Sequence, residues 1–228
     1  MIDAILDTPL FGLTMCVSTY LLGCWIQKKT GWLLANPMVI ATAFCIGLLV
    51  LLDIPYEKFA QGADFIHLML GPVTAMLALG IYNQRKILKQ YFIPVLAGCT
   101  AGSVTSIGTV LLLCHLFDVD KAVTAAIMPK SCTTAIAVSI AESRGGLAAI
   151  AACCVMLAGV TGVLGAPYFA KWFKITDPVA QGLATGACSH ALGTTKAREM
   201  GELQGAVSSV AIGICGLISV VLSLIVPL

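Results

Sequence analysis

Three stretches of this sequence place polar or helix-breaking residues where apolar ones belong. The first is Leu70-Gly71-Pro72-Val73-Thr74-Ala75. Pro72 removes a backbone donor and frees a carbonyl one turn back, and Thr74 offers a hydroxyl beside it. The second is Met128-Pro129-Lys130-Ser131-Cys132-Thr133-Thr134, in the middle of the apolar run from Lys121 to Ala141. A lysine at the centre of a membrane helix costs about 2.5–3.5 kcal/mol on insertion scales. Two readings follow. Lys130 could mark a loop end and snorkel to the interface. Alternatively it binds an anion, with hydroxyls from Ser131, Thr133 and Thr134 and free N–H groups of a helix restarting at Ser131. The third stretch runs from Ala184 to Lys196 and holds Gly186, Ser189, His190, Gly193, Thr194 and Thr195. His190 has two readings, a satisfied core residue or a proton carrier and substrate ligand.

The elements that carry these stretches follow from composition. Of 228 residues, 59% are hydrophobic and only 11% charged, with a mean hydropathy of +0.98. A soluble domain has about a quarter of its residues charged. That excludes an ordinary soluble enzyme, a disordered chain and a nucleic-acid binder, and the net charge of +2 points to no acidic partner. The chain reads as an all-α polytopic membrane protein of seven to eight transmembrane segments, some broken or re-entrant, forming one domain over residues 1–228. About 20 helical residues span a bilayer, and the apolar runs are Thr8–Ile26, Trp32–Leu52, an untidy third made of Tyr56–His67 and Leu68–Tyr82 with Gly71-Pro72 interrupting it, Tyr91–Phe117, Lys121–Ala141, Leu147–Phe169, a short Gln181–Thr195, and Ala206–Leu228. Asp3 and Asp7 stand where a secretory signal would be positive, so the first run is expected to be a retained helix.

If every run crosses, Lys28, Lys29, Arg85, Lys86, Lys89, Arg144, Lys196 and Arg198 share one side, and Lys58, Lys121, Lys171 and Lys174 the other. The richer side is the cytoplasmic one, and both termini lie outside. A re-entrant seventh run would move the C-terminus to the cytoplasm. An internal echo at an offset of 57 sets Pro72 on Pro129, Thr74 on Ser131, Gly102 on Gly159 and Gly108 on Gly165. Transporters carry such repeats, parallel or inverted. A two-helix offset reads as parallel unless one element is re-entrant.

Irregular backbone survives at membrane depth only inside protein or beside a wet cavity. Segments 128–134 and 184–195 are therefore expected to meet at one polar cavity, with Gly71, Pro72 and Thr74 as a supporting break alongside Pro129, Gly186 and Gly193. The ten cysteines fall mostly in apolar runs and read as small buried hydrophobes, with no disulfide. No zinc spacing, Gly-x-Ser-x-Gly elbow or embedded carboxylate pair is present, so neither an enzyme nor a cofactor is expected.

The three stretches, above all Met128–Ala137 and Ala184–Ala197, resemble the signature segments of the LrgB/CidB family, and the resemblance covers essentially the whole chain. The family pattern often has proline where this chain has Ala135, so no backbone role for that proline carries over. The resemblance implies a multi-pass protein of the bacterial inner (cytoplasmic) membrane that acts with a small LrgA/CidA-type membrane protein and forms a homo-oligomer. It implies two competing functions: a holin/antiholin-like modulator of murein hydrolase export and autolysis, or a carrier of small carboxylates of the pyruvate, glycolate and glycerate type. A buried Lys-Ser-x-Thr-Thr cluster favours the carrier. On that reading Lys130, Ser131, Thr133 and Thr134 bind the carboxylate, and Ser189, His190, Thr194 and Thr195 line the opposite wall.

Overall fold

A computed structural model describes residues 6–31 and 37–227; the side chains of residues 67, 70, 73, 74, 77 and 80 lie outside that description. Among the described residues the chain is helical, with no strand. It divides into two compact units, Met1–Pro72 and Val73–Leu228.

The first unit holds α1 (Pro9–Thr30), α2 (Pro37–Leu51) and α3 (Tyr56–Leu68). Its helices approach through glycine: a Cβ on Gly12 would stand 2.2 Å from the Phe59 carbonyl, and one on Gly62 2.2 Å from that of Pro9. Thr19 Oγ1 lies 3.2 Å from Cys45 Sγ and binds α1 to α2. Helix α4 (Leu70–Asn83) begins at the unit boundary. Gly71 and Pro72 sit exposed in its first turn, where N–H groups have no intrahelical acceptor and proline removes nothing. The expected break at Gly71-Pro72 is thus corrected: the helix is interrupted at Met69 instead. The side chain of Thr74 falls outside the described residues.

The second unit continues with α5 (Arg85–Gln90), α6 (Phe92–Leu116), α7 (Lys121–Ile127), α8 (Thr134–Ser143), α9 (Ala148–Trp172), α10 (Pro178–Met200) and α11 (Glu202–Ile225). Among the described residues four helices are long and apolar enough to cross a membrane: α1, α6, α9 and α11. The count of seven to eight crossings does not follow from these four.

The fifth apolar run folds back on itself as a helical hairpin. Helix α7 goes in, the backbone leaves helix over residues 128–133, and α8 comes back. The return is visible at its mouth, where a Cβ on Gly146 would meet Ala122 O at 3.0 Å and Ala126 N at 2.9 Å. The seventh run is a second hairpin. Helix α10 is two half-helices reversed at His190, whose φ of 39° and ψ of −130° are not helical. A Cβ on Gly193 would lie 2.6 Å from the Thr185 carbonyl, a contact impossible in a straight helix at 1.5 Å rise per residue. At the mouth, Gln204 Nε2 donates to Gln181 Oε1 at 3.5 Å.

The two hairpins enter from opposite ends of α11. The mouth of the second packs on its N-terminus through Gln181 and Gln204. At the mouth of the first, the Arg144 guanidinium donates to the carbonyls of Ser223 and Val226 at its C-terminus, the latter at 2.6 Å. Local detail repeats with the same inversion. Asp120 and Asp177 each cap a hairpin, accepting from Ala122 N at 2.8 Å and Ala180 N at 2.7 Å. Just before them, α6 and α9 both end on phenylalanine, Phe117 and Phe173, followed by left-handed Asp118 and Lys174. The echo seen in the sequence is therefore an inverted repeat of α6 with the first hairpin and α9 with the second. Gly102 and Gly108 on α6 answer Gly159 and Gly165 on α9. The pairs involving Pro72 and Thr74 have no counterpart in it, because the helix runs through Pro72.

Because both hairpins turn back, Lys171 and Lys174 come to the same end of this unit as Arg85, Lys86 and Lys89, and Arg144 moves to the other. This corrects the division of charges expected from eight crossings. The ten cysteines are all free thiols.

Candidate functional site

The tips of the two hairpins meet between α6 and α9. Lys130 is half-buried in the tip of the first. Its Nζ donates to Ser106 Oγ on α6 at 3.3 Å, and Ser106 Oγ shares a 2.7 Å hydrogen bond with Ser131 Oγ. Among the described residues no carboxylate pairs with Lys130. Thr133 caps α8 without a side-chain cap bond, and its buried Oγ1 has no hydrogen-bond partner. The expected restart at Ser131 is corrected to Thr134, because residues 131–133 are extended or turned. Thr134 is exposed and faces away from the tip's buried side.

At the tip of the second hairpin, Ser189 is 0% and His190 4% exposed, and neither Ser189 Oγ nor His190 Nε2 has a hydrogen-bond partner. Cys188, two residues before His190, lines the same groove as Lys130, so the two tips lie side by side. Helix α9 makes room by lacking side chains: a Cβ on Gly159 would lie 2.9 Å from His190 Cε1, and one on Gly162 1.7 Å from Ser189 Oγ. Thr194 Oγ1 shares a 2.7 Å hydrogen bond with Ser208 Oγ on α11 and donates to His190 O at 3.0 Å, anchoring the return leg. Gly186 lets that hairpin close on α11, where a Cβ would sit 2.5 Å from the Ser208 carbonyl. Thr195 is exposed, and its hydroxyl is spent on Ala191 O at 3.4 Å.

A groove of about 790 Å³ runs past the Lys130 tip, lined on the α6 side by Thr105, Ser106 and Thr109 and on the α9 side by Cys154 and Thr161. Cys188 closes its end and also lines a second, narrower and mostly apolar cavity of about 360 Å³ toward the mouth of the second hairpin, with Ser189 and Gly162. Of the expected site residues, the structure brings together Lys130, Ser131, Thr133, Ser189 and His190. It gives Pro129, Gly186, Gly193 and Thr194 packing roles, and it leaves Thr134 and Thr195 outside. The sequence reading missed Ser106. Its signal was the polar stripe Gly102, Thr105, Ser106, Thr109 at helical spacing, inside a run read only as a crossing.

Among the described residues, the two tips hold the half-buried ammonium of Lys130, the N-terminus of α8 and three buried polar atoms without hydrogen-bond partners, Thr133 Oγ1, Ser189 Oγ and His190 Nε2. Comparison with known proteins places this arrangement. Residues 16–228 match the LrgB-like family. The chain belongs to the LrgB-like family. Antiholin-like protein LrgB of Bacillus subtilis (strain 168) is 34% identical over 222 residues, covering 96% of this chain and 94% of that one. The LrgB of Bacillus mycoides (strain KBAB4) is 34% identical over 216 residues, with 94% of each chain covered. Uncharacterized protein YxaC of Bacillus subtilis (strain 168) is 33% identical over 204 residues, 90% of this chain and 89% of that one. No solved structure matches. As an LrgB-like chain with four helices of spanning length, it is a membrane protein.

Proposed function

We propose that this chain is an antiholin-like protein of the bacterial inner membrane whose polar centre passes small carboxylates rather than opening a lesion. The two halves of that reading have different support. Kinship supports the first, since relatives that match along nearly the whole chain carry the name antiholin-like. The second rests on one observation: Lys130 sits at a hairpin tip with no carboxylate partner, beside the N-terminus of α8 and the unpartnered hydroxyl of Thr133. A half-buried cation of this kind is tolerable when a ligand anion neutralises it. Lesion formation requires self-association and has no use for such a centre.

Orientation follows from charge. Arg85, Lys86, Lys89, Lys171, Lys174, Lys196 and Arg198 gather at the second hairpin's mouth, against Lys121 and Arg144 at the first. The second mouth is cytoplasmic on this count. Two reversals cancel, so the C-terminus stays outside. A small LrgA/CidA-type membrane protein and a second copy of this chain are the partners this reading includes.

The test is uptake of radiolabelled pyruvate, glycolate and glycerate into proteoliposomes, with and without the LrgA-type protein, beside release of a trapped dye. Saturable carboxylate uptake without dye loss supports the carrier. Dye loss that grows with protein density and is indifferent to carboxylate supports a lesion-forming or lesion-controlling role alone.

A further inference from the structure

The apolar depth of the second unit holds few groups that can carry charge. Residues 92–114, 122–141, 148–170, 178–195 and 203–227 contain no carboxylate and, besides cysteines and the outward-facing Tyr168, two titratable side chains, Lys130 and His190. Both are at hairpin tips: Lys130 lines one groove with Ala158 and Cys188, and Gly159, next along α9, lies against the His190 ring. The groups that face this point from each packed element are Ser106 on α6, Lys130 and Thr133 on the first tip, Cys154 on α9, Cys188 and Ser189 on α10, and Ser208 on α11 through Thr194. None of them is an anion near neutral pH.

Two consequences follow from Coulomb's law at low dielectric. With the site empty, the Lys130 ammonium opposes a second positive charge on His190. With a carboxylate on Lys130, that opposition is cancelled and an imidazolium becomes favourable. Anion and proton therefore assist each other's binding, and by reciprocity each raises the other's affinity by the same factor. The ring is placed for this. Its Nε2 is buried without a protein partner, and Gly159 leaves space beside it.

We propose that His190 is the proton-coupling residue of the carrier: Nε2 takes up one proton when a small carboxylate binds at Lys130 and releases it when the carboxylate leaves on the other side. This rests on the carrier reading above. The charge balances simply. The empty site bears the lysine charge alone, and the loaded site bears lysine, carboxylate and imidazolium, again one net positive charge. Transport is then electroneutral, driven by a pH gradient and indifferent to membrane potential.

Proteoliposomes with [14C]glycolate test it, with protein-free vesicles subtracted. Two measurements run in parallel: exchange of external label for internal unlabelled glycolate at equal pH, and net accumulation against a gradient with the acid side outside. For the wild type, one pH unit should support about tenfold accumulation, and a valinomycin-set potential should not change it. His190→Asn, which tolerates positive φ, and His190→Gln should lower pH-driven accumulation far more than they lower exchange and make the remaining uptake potential-sensitive; a fall in both by the same factor overturns the coupling role. Accumulation retained in both variants overturns the proposal, as does wild-type exchange without pH-driven accumulation. Absence of wild-type exchange with glycolate, pyruvate and glycerate alike defeats the carrier reading itself, and the coupling with it.

Discussion

The two hairpins solve one problem with opposite means. Each must reverse the chain at depth, where every exposed N–H and C=O is expensive. The first opens six residues, Met128 to Thr133, and fills the gap with a charge and hydroxyls that reach across to Ser106. The second reverses at the single residue His190 and relies on glycine: Gly193 against Thr185, and Gly159 and Gly162 on the facing helix. A loop that carries a cation needs side-chain donors and acceptors around it, hence its length and polarity. A tip that carries a neutral ring needs only space, hence its small neighbours. The wide groove beside the first tip and the narrow cavity behind the second have the same origin.

The largest difference between the tips should appear at Lys130. Lys130→Ala is expected to lower carboxylate uptake at least tenfold at equal abundance in proteoliposomes. Lys58→Ala removes a surface ion pair with Asp7 at 2.9 Å, of a kind contributing about 0–1 kcal/mol, and should leave uptake unchanged. Lys130→Arg keeps the charge but adds a planar fork, so it should impair uptake without abolishing it. Wild-type rates in Lys130→Ala would remove the anion site and reduce the comparison to one of packing.

Next in size is the glycine pair related by the repeat. Gly159→Ala drives a methyl against the His190 ring and Leu192 Cδ1, at 2.9 and 2.8 Å. Overpacking of this sort costs about 1–3 kcal/mol. Gly102→Ala, at the matching place on α6, meets nothing nearer than Ala187 Cβ at 3.7 Å. Thermal aggregation in detergent should show a clear loss for the first and none for the second. Equal losses would mean that the tips are packed alike.

How much of this could be read from residues alone depended on the kind of signal. Lys130 was legible because a charge in a 21-residue apolar stretch is costly wherever the chain goes. His190 was legible as an interruption but not as a reversal, since one residue at positive φ leaves no trace in hydropathy. The repeat was visible at its offset, yet its inversion depended on both hairpins turning back, which needs the contacts at Gly146 and Gly193. Thr134 and Thr195 were chosen by proximity in sequence. Helical phase then turned both outward, an error that proximity in sequence cannot reveal. Ser106 escaped notice because one serine in a long apolar helix looks like any other.

The mouths should differ less than the glycines. Arg144 at the first mouth donates two hydrogen bonds to the carbonyls that end α11. Bonds to charged groups are worth about 1.5–3 kcal/mol each when the partner is otherwise unsatisfied, and less at a wet interface. Arg144→Ala should lower the midpoint of thermal aggregation moderately and speed proteolysis of the C-terminal turn. At the second mouth the neutral Gln204 donates to Gln181 at 3.5 Å, while Gln181 itself is held by Ile175 O at 2.7 Å, so Gln204→Ala should be close to silent. Equal shifts would show that the guanidinium is not what fastens that end.

The smallest effect is expected at the caps, where the repeats are most alike. Asp120 accepts from Ala122 N at 2.8 Å, and Asp177 from Ala180 N at 2.7 Å. Removing a capping carboxylate costs about 0.5–2 kcal/mol. Asp120→Ala and Asp177→Ala should therefore destabilise in detergent by similar, modest amounts. Asn keeps an acceptor oxygen and should restore most of the loss at both. Their consequences for uptake should diverge. Asp177 caps the entry leg of α10, a continuous half-helix from Pro178 to Ser189 that ends next to His190, so a loosened cap is transmitted to the ring. Asp120 caps α7, whose helix stops at Ile127, and the non-helical stretch before Lys130 absorbs the disturbance. At equal folded protein, Asp177→Ala should slow uptake more than Asp120→Ala. The reverse order would mean that the turned loop of the first hairpin, whose backbone bonds run from Lys130 N to Ile127 O at 3.0 Å and from Cys132 N to Pro129 O at 2.9 Å, transmits strain better than the closed turn of the second.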